Sequence, residues 1–166
     1  MFRGKPQRVF HDFEHPLLAK WQVRVYGLEF TYIDEIRAAV ARRYVFLYEG
    51  NAAFNLTQRC YNRGGRHTFV TGARTSGPNV YLDCLATDDS NDSGPHHRWS
   101  TGVLYDNTKG YMLRAQNRRY SGSGHGWAGA QQMFWNTEHG TYVMQAPPFA
   151  MNWSVGQVGR IVPGKF

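Results

Sequence analysis

The sequence predicts an all-β fold, a parallel β-helix, from three observations: short strand-like runs, turn residues closing them, and recurrence at nearly constant spacing. Val80-Tyr81-Leu82-Asp83-Cys84 is echoed one repeat later, position for position, by Val103-Leu104-Tyr105-Asp106-Asn107. Gln132-Met133-Phe134-Trp135-Asn136 reads as a third copy, and Trp153-Ser154-Val155-Gly156-Gln157 as a looser fourth. A second run interleaves with these. Gly110-Tyr111-Met112-Leu113-Arg114-Ala115 aligns with Gly140-Thr141-Tyr142-Val143-Met144-Gln145, with His67-Thr68-Phe69-Val70-Thr71 as an earlier member. Strands that end in Asn, Asp or Gly and recur at a regular interval suit a coil in which each turn is one rung. Each rung then buries its inward side chains against its neighbours. An antiparallel sandwich or barrel also uses short strands separated by turn residues. The shared sequence, beyond the shared spacing, favours the coil.

Composition changes near residue 50: residues 1–50 hold 3 glycines and residues 51–166 hold 15. The first stretch is expected to be an N-terminal segment or reduced cap, joined in one structural domain with the rungs of the second. Within it, Trp21-Gln22-Val23-Arg24-Val25-Tyr26 alternates as a strand does. Ile33, Ile36 and Val40 lie at near-helical spacing and predict a short N-terminal helix over residues 33–43, although the same stretch runs on into the strand-like Tyr44-Val45-Phe46-Leu47-Tyr48. Further on, Cys60 stands one repeat ahead of Cys84, a spacing that stacks them as small buried side chains without requiring a disulfide. These two cysteines fit neither a disulfide framework nor a zinc site.

Two loops interrupt the coil. Residues 87–99 fall where the second strand of a rung belongs, and residues 117–129 follow the second strand of the next rung. In this register both leave on the same side, one rung apart. Together they gather three carboxylates, three histidines, three arginines and two tryptophans in a chain only 19% charged. Binding residues concentrate on loops held by a rigid scaffold.

The charge balance points to an anionic partner. The chain carries 19 Lys+Arg against 12 Asp+Glu, a formal +7, and fifteen of the cations are Arg. Arg presents a planar fork that fits carboxylate, sulfate or phosphate. An acidic polysaccharide and a nucleic acid both satisfy that, but no basic run exceeds a pair and no recognition motif supports nucleic acid. No apolar run approaches transmembrane length, so no membrane partner is expected. The start leads into no apolar signal core, which suits either a cytosolic protein or a mature or excised piece of a longer one.

Each loop group has a chemistry. Asp88, Asp89 and Asp92 offer the carboxylate oxygens that a hard cation such as Ca²⁺ takes, without EF-hand spacing. As an acidic turn they would instead bond locally, and as an acid–base pair they would serve glycoside hydrolysis. His96, His97 and Arg98 form the sharper group. An imidazole exchanges protons near neutrality, and an adjacent Arg stabilises a developing anion or clamps a carboxylate. That pairing suits proton abstraction beside a uronic acid carboxylate, the first step of β-elimination. His125 sits in Gly122-Ser123-Gly124-His125-Gly126-Trp127-Ala128-Gly129, which is neither a Walker A loop nor a dinucleotide fingerprint. Arg118 and Arg119 join it from the same loop. Trp99 and Trp127 can stack on sugar rings, or serve as core.

Asp92-Ser93-Gly94-Pro95-His96-His97-Arg98-Trp99-Ser100-Thr101-Gly102, Leu104-Tyr105-Asp106-Asn107, the glycine-rich run through Ala130, Phe134-Trp135-Asn136, Ala146-Pro147-Pro148 and Asn152-Trp153 are distinctive together. They resemble the C-terminal rungs of bacterial secreted proteins of the pectin-lyase-like, right-handed parallel β-helix superfamily, over roughly residues 55–160. The resemblance implies a secreted or cell-surface, carbohydrate-active protein, and lyase or hydrolase chemistry on acidic glycans. It implies Arg98 or Arg118 as base and Ca²⁺ on Asp88, Asp89 and Asp92. The catalytic set expected from both lines of reasoning is His96, His97, Arg98, His125 and Arg118, with Trp99, Arg119 and Trp127 binding substrate. A non-catalytic module for glycan binding or assembly is the alternative. The relatives have more rungs and a capping helix, so a coil this short is expected to self-associate through its ends.

Overall fold

The structure is a computed structural model that describes residues 43–164 throughout. Before them it describes the strands Gln7–Val9, Val23–Tyr26, Thr31–Asp34 and Arg37–Ala39. Among the described residues every regular element is a β-strand, and no helix is long and apolar enough to cross a membrane. The first sheet runs Gln7–Val9, Thr31–Asp34, Asn55–Gln58, Asn79–Leu82, Val103–Asp106, Met133–Trp135, Trp153–Val155. A second runs Arg37–Ala39, Tyr61–Arg63, Leu85–Thr87, Lys109–Ala115, Glu138–Met144, Val158–Ile161. The third holds Val23–Tyr26, Tyr44–Glu49, His67–Thr71 and Gly94–Pro95, and a short pair joins Ser100–Thr101 to Gly129–Ala130. From Val23 to Pro95 the chain visits the third, first and second sheets in turn, repeatedly.

The strand pairs are parallel in all four sheets, which sets aside the antiparallel sandwich. Antiparallel geometry is confined, among the described residues, to an isolated bridge between Asn117 and Trp127. The helix expected over residues 33–43 is also overturned. Thr31–Asp34 pairs with Asn55–Gln58, and Arg37–Ala39 with Tyr61–Arg63. Three apolar residues at helical spacing do not outweigh a ladder that serves every strand residue, because a short helix gains little alone. Residues 35–36 and 40–42 of that stretch lie outside the described residues, as do Trp21 and Gln22 of the alternating run.

The sequence repeats are real, but three of the alignments shift by one position. Tyr81 pairs with Tyr105 rather than with Leu104, and Leu82 with Asp106 rather than with Tyr105. Met112 pairs with Thr141 rather than with Tyr142. Trp153 pairs with Met133 rather than with Gln132, whereas Tyr105 opposite Phe134 is as aligned. A one-residue slip would turn each inward side chain outward. Burial decides it, because Tyr81 and Tyr105 are both fully buried and their rings stack at 5.2 Å. His67–Thr71 belongs to the third sheet, beside Tyr44–Glu49. Its place in the second sheet is taken by Tyr61–Arg63 and Leu85–Thr87.

The core is a column of rings. Tyr48 stacks on Tyr81 at 4.7 Å, Tyr81 on Tyr105, and Tyr105 meets Phe134 edge-on at 5.4 Å. Cys60 and Cys84 are buried free thiols at matching positions on neighbouring turns. The corner after each first-sheet strand from Asn55–Gln58 to Met133–Trp135 takes a left-handed residue: Arg59, Asp83, Asn107 and Asn136, with φ between 48° and 52°. Asn and Asp tolerate that region best of the non-glycine residues, so strand runs ending in Asn or Asp signal this corner. The last corner uses Gly156 at φ 70°, where a Cβ would collide with the Asn136 side chain. Side-chain ladders tie turns together. Asn55 Nδ2 donates to Asn79 Oδ1 (2.7 Å), and Asn107 Nδ2 to Asp83 Oδ1 (2.7 Å).

Candidate functional site

The two sequence loops meet. The Arg98 amide donates to the His125 carbonyl (3.0 Å), and the Ser100 amide to that of Ala128 (3.0 Å). The Arg98 guanidinium donates to the Gly124 carbonyl. These bonds pin one loop to the other and bring their histidines together over the start of two third-sheet strands, where Tyr44 and His67 lie side by side in register. The outcome is a cluster of four imidazoles. His67 and His96 lie 4.3 Å apart between ring centroids, His96 and His97 5.1 Å, His96 and His125 5.1 Å, and His97 and His125 4.0 Å. Tyr44 closes one side, 5.2 Å from the His96 ring, with its hydroxyl 3.3 Å from His97 Nε2.

One ion pair anchors the cluster. Arg118 Nη1 donates to Asp92 Oδ2 at 2.6 Å, with both side chains largely buried. His67 Nδ1 lies 2.7 Å from the Asp92 carbonyl and 3.3 Å from its Oδ1. Burial pushes the Asp92 carboxyl up, but the His67 hydrogen bond and the Arg118 charge together hold it well below the usual carboxylate range. Burial, the Arg118 charge and the neighbouring His67 drive His96 far below an ordinary imidazole. Burial lowers His97; Glu49 opposes it, and the charges of Arg118, Arg43 and Arg98 add to the drop. Burial and then His97 and Arg118 bring His125 down to about 4. All three rings are therefore neutral near pH 7, weak bases with nitrogen lone pairs that can bind a cation.

Two of those ring nitrogens have no protein partner. His96 Nδ1 and His125 Nδ1 are buried without a hydrogen bond, on residues only 5% and 8% exposed. A buried unsatisfied polar atom costs about 1–3 kcal/mol. Gly122 makes room for this arrangement: it has φ 55°, and a Cβ there would run into the His125 ring.

The other expected residues divide between the cluster and its surroundings. Arg98, Trp99 and Arg119 are exposed on the loops, and Trp127 is half-buried. The acidic string does not converge. Asp88 pairs with exposed Arg63 at 2.9 Å. Asp89 accepts from Asn62 Nδ2 and the Gly65 amide, and burial raises it to about 6. Asp92 faces Arg118 and His67. Among the described residues, the groups whose ligand atoms lie within 4.8 Å of one another are His96–His97–His125 and His67–Asp92–His96. A Ca²⁺ cage on Asp88, Asp89 and Asp92 does not fit that geometry, since Ca²⁺ needs six to eight converging oxygens.

Sequence reasoning missed His67, Tyr44 and the exposed Tyr120. His67 had a signal: it precedes Asp92 by about one turn of the repeat. Tyr44 had one too, standing one turn before His67. A separate groove of about 400 Å³ lies on the second sheet, lined by Lys109, Gly110, Glu138, His139 and Gly140 among others, and shares no residue with the cluster. No family model, curated protein or solved structure matches this chain.

Proposed function

We propose that the chain is a right-handed parallel β-helix of the pectin-lyase-like type, binding an acidic polysaccharide at the paired loops and cleaving it by β-elimination. The cyclic order in which the chain visits its three parallel sheets supports the coil. The observation that carries the function is one juxtaposition: neutral imidazoles, the half-exposed His97 among them, lie beside exposed Arg98 on loops that also expose Arg119, Trp99 (69%) and Tyr120 (93%).

Each part has a task in the elimination. A base removes the proton from the carbon next to the uronate carboxylate, a carbon–carbon double bond forms, and the glycosidic carbon–oxygen bond breaks. The electron pair leaves on the departing sugar oxygen, which is then protonated. The imidazole cluster is the base-bearing end, with His97 its accessible member. Arg98 and Arg119 neutralise the carboxylate, which lowers the barrier to removing a proton beside it. Trp99 and Tyr120 offer flat apolar faces to sugar rings.

One observation favours a non-catalytic glycan-binding module instead. Arg118 is held by Asp92 and Arg98 by the Gly124 carbonyl, so neither is free to act as base. Incubating the chain with pectate, alginate and glycosaminoglycans separates the readings. Growth of the ultraviolet band of unsaturated uronate on one of them is expected. Binding without product would leave the module reading, and neither binding nor product would overturn both.

A further inference from the structure

We propose that His96, His97 and His125 bind a borderline transition ion of the Zn²⁺ class, leaving an open fourth position for an anionic oxygen ligand. Their ligand atoms lie within 4.8 Å of one another. Bonds of about 2.0–2.1 Å to zinc place tetrahedral donors roughly 3.3 Å apart, so modest ring rotations close the set. Three independent features support an ion rather than a mere packing of rings. The donors are imidazole nitrogens, which suit zinc, copper and nickel and not Ca²⁺. His96 Nδ1 and His125 Nδ1 are buried and unpartnered, as a ligand atom is before its ion arrives. An outer shell is also present, because the Tyr44 hydroxyl meets His97 Nε2 and such contacts orient a metal-bound imidazole.

The second grouping, His67–Asp92–His96, is support rather than a rival. Its carboxylate gives Oδ2 to Arg118 and turns Oδ1 toward His67, whose Nδ1 also lies 2.7 Å from the Asp92 carbonyl. That pairing also matters for charge. Asp92 offsets Arg118, so the Arg118 charge is compensated before a dication arrives. Three neutral ligands then leave the ion's own charge uncompensated, and its fourth position favours hydroxide or a carboxylate. Three protein ligands and an open position are the pattern of catalytic rather than structural zinc. A bound water on such an ion has a pKa near 7.

The inference rests on the same site as the lyase reading and deepens it: an ion held by His96, His97 and His125 would supply a hydroxide base at its open position, with Arg98 and Arg119 still neutralising the uronate. The test needs no glycan. The full chain, stripped with a chelator, is titrated with Zn²⁺ by calorimetry and with Co²⁺ by visible absorption. One ion per chain is expected, together with a Zn²⁺-dependent rise in Tm that Ca²⁺ does not produce. Removing the half-exposed donor, His97→Ala, should weaken binding by more than the roughly tenfold to hundredfold of an outer-shell change. Tyr44→Phe should weaken it by about tenfold, and Asp88→Asn should leave it unchanged. No binding by the folded wild-type chain, undiminished binding by His97→Ala, or equal binding of Ca²⁺ would overturn the site. Ion binding without glycan cleavage would keep the site and overturn the lyase reading. Cleavage by stripped protein that binds no ion would do the reverse.

Discussion

Two columns of rings run through this protein, and they obey opposite rules. The aromatic column, Tyr48–Tyr81–Tyr105–Phe134, is sealed in the core and is held by burial and stacking. Most of its polar atoms are answered: Tyr48 reaches Thr57 Oγ1, and the Tyr81 hydroxyl lies within reach of the Phe46 and Val70 carbonyls. The imidazole column, His67–His96–His97–His125, lies where two loops close over strand starts. It keeps buried nitrogens unanswered and leans on a single ion pair. One column is optimised for stability. The other keeps two imidazole nitrogens, His96 Nδ1 and His125 Nδ1, without a partner, where the first leaves a single hydroxyl, that of Tyr105.

The sharpest way to break that contrast is at the core. Phe134→Ala should destabilise by about 3–5 kcal/mol in chemical denaturation, since a buried ring leaves a cavity. Arg118→Ala comes next, at about 3 kcal/mol, because it strands the buried Asp92 carboxylate. Asp92→Asn combined with Arg118→Met should recover much of that loss. If the single substitution were harmless, the ion pair would not be the anchor of the imidazole column.

Acid should affect the imidazole side in a predictable direction. In the folded chain His125 titrates at about 4, and His139, lowered chiefly by burial, at about 3. An unfolded imidazole titrates at about 6.5. Between those values the unfolded chain binds more protons, so the stability these groups contribute is complete above about pH 6.5 and is lost on acidification. Asp92, held low, adds to the loss at the acid end. Asp89, raised to about 6, works against it, because its contribution is lost as pH rises through 6. A Tm measured in chelator should fall steadily from about pH 7 to about pH 4, the lowered histidines outweighing one raised carboxylate. A Tm that rose on acidification would contradict the assignment of neutral rings.

The finest comparison lies within the aromatic column. The Tyr105 hydroxyl is buried without a partner, whereas the Tyr81 hydroxyl donates to the Val70 carbonyl at 2.7 Å with that of Phe46 also within reach. Tyr81→Phe should cost about 1 kcal/mol and Tyr105→Phe nothing, or should stabilise slightly. Equal losses would mean that the two hydroxyls are not distinguished as the contacts imply.

Much of the first column was legible in the sequence, because strand repeats and Asn or Asp corners are local signals. The one-residue errors arose where a run is apolar on both faces. Val-Tyr-Leu and Val-Leu-Tyr can be aligned either way until ring stacking chooses, and no propensity encodes that choice. The two loops were legible through their glycines, histidines and arginines. His67 and Tyr44 were legible only through the repeat spacing, because each begins an ordinary apolar strand and gains its role only when neighbouring turns stack. The carboxylates misled for the same reason: adjacent in sequence, Asp88 and Asp89 turn to different partners once the strands are paired.

The central claim, that the loops close into a transition-ion centre, is most directly tested by anomalous X-ray scattering at the zinc edge from crystals grown with stoichiometric Zn²⁺. The expected result is one peak per chain, within bonding distance of His96, His97 and His125. A map with no peak there, or with zinc bound only at Asp88, Asp89 or other surface groups, would contradict it.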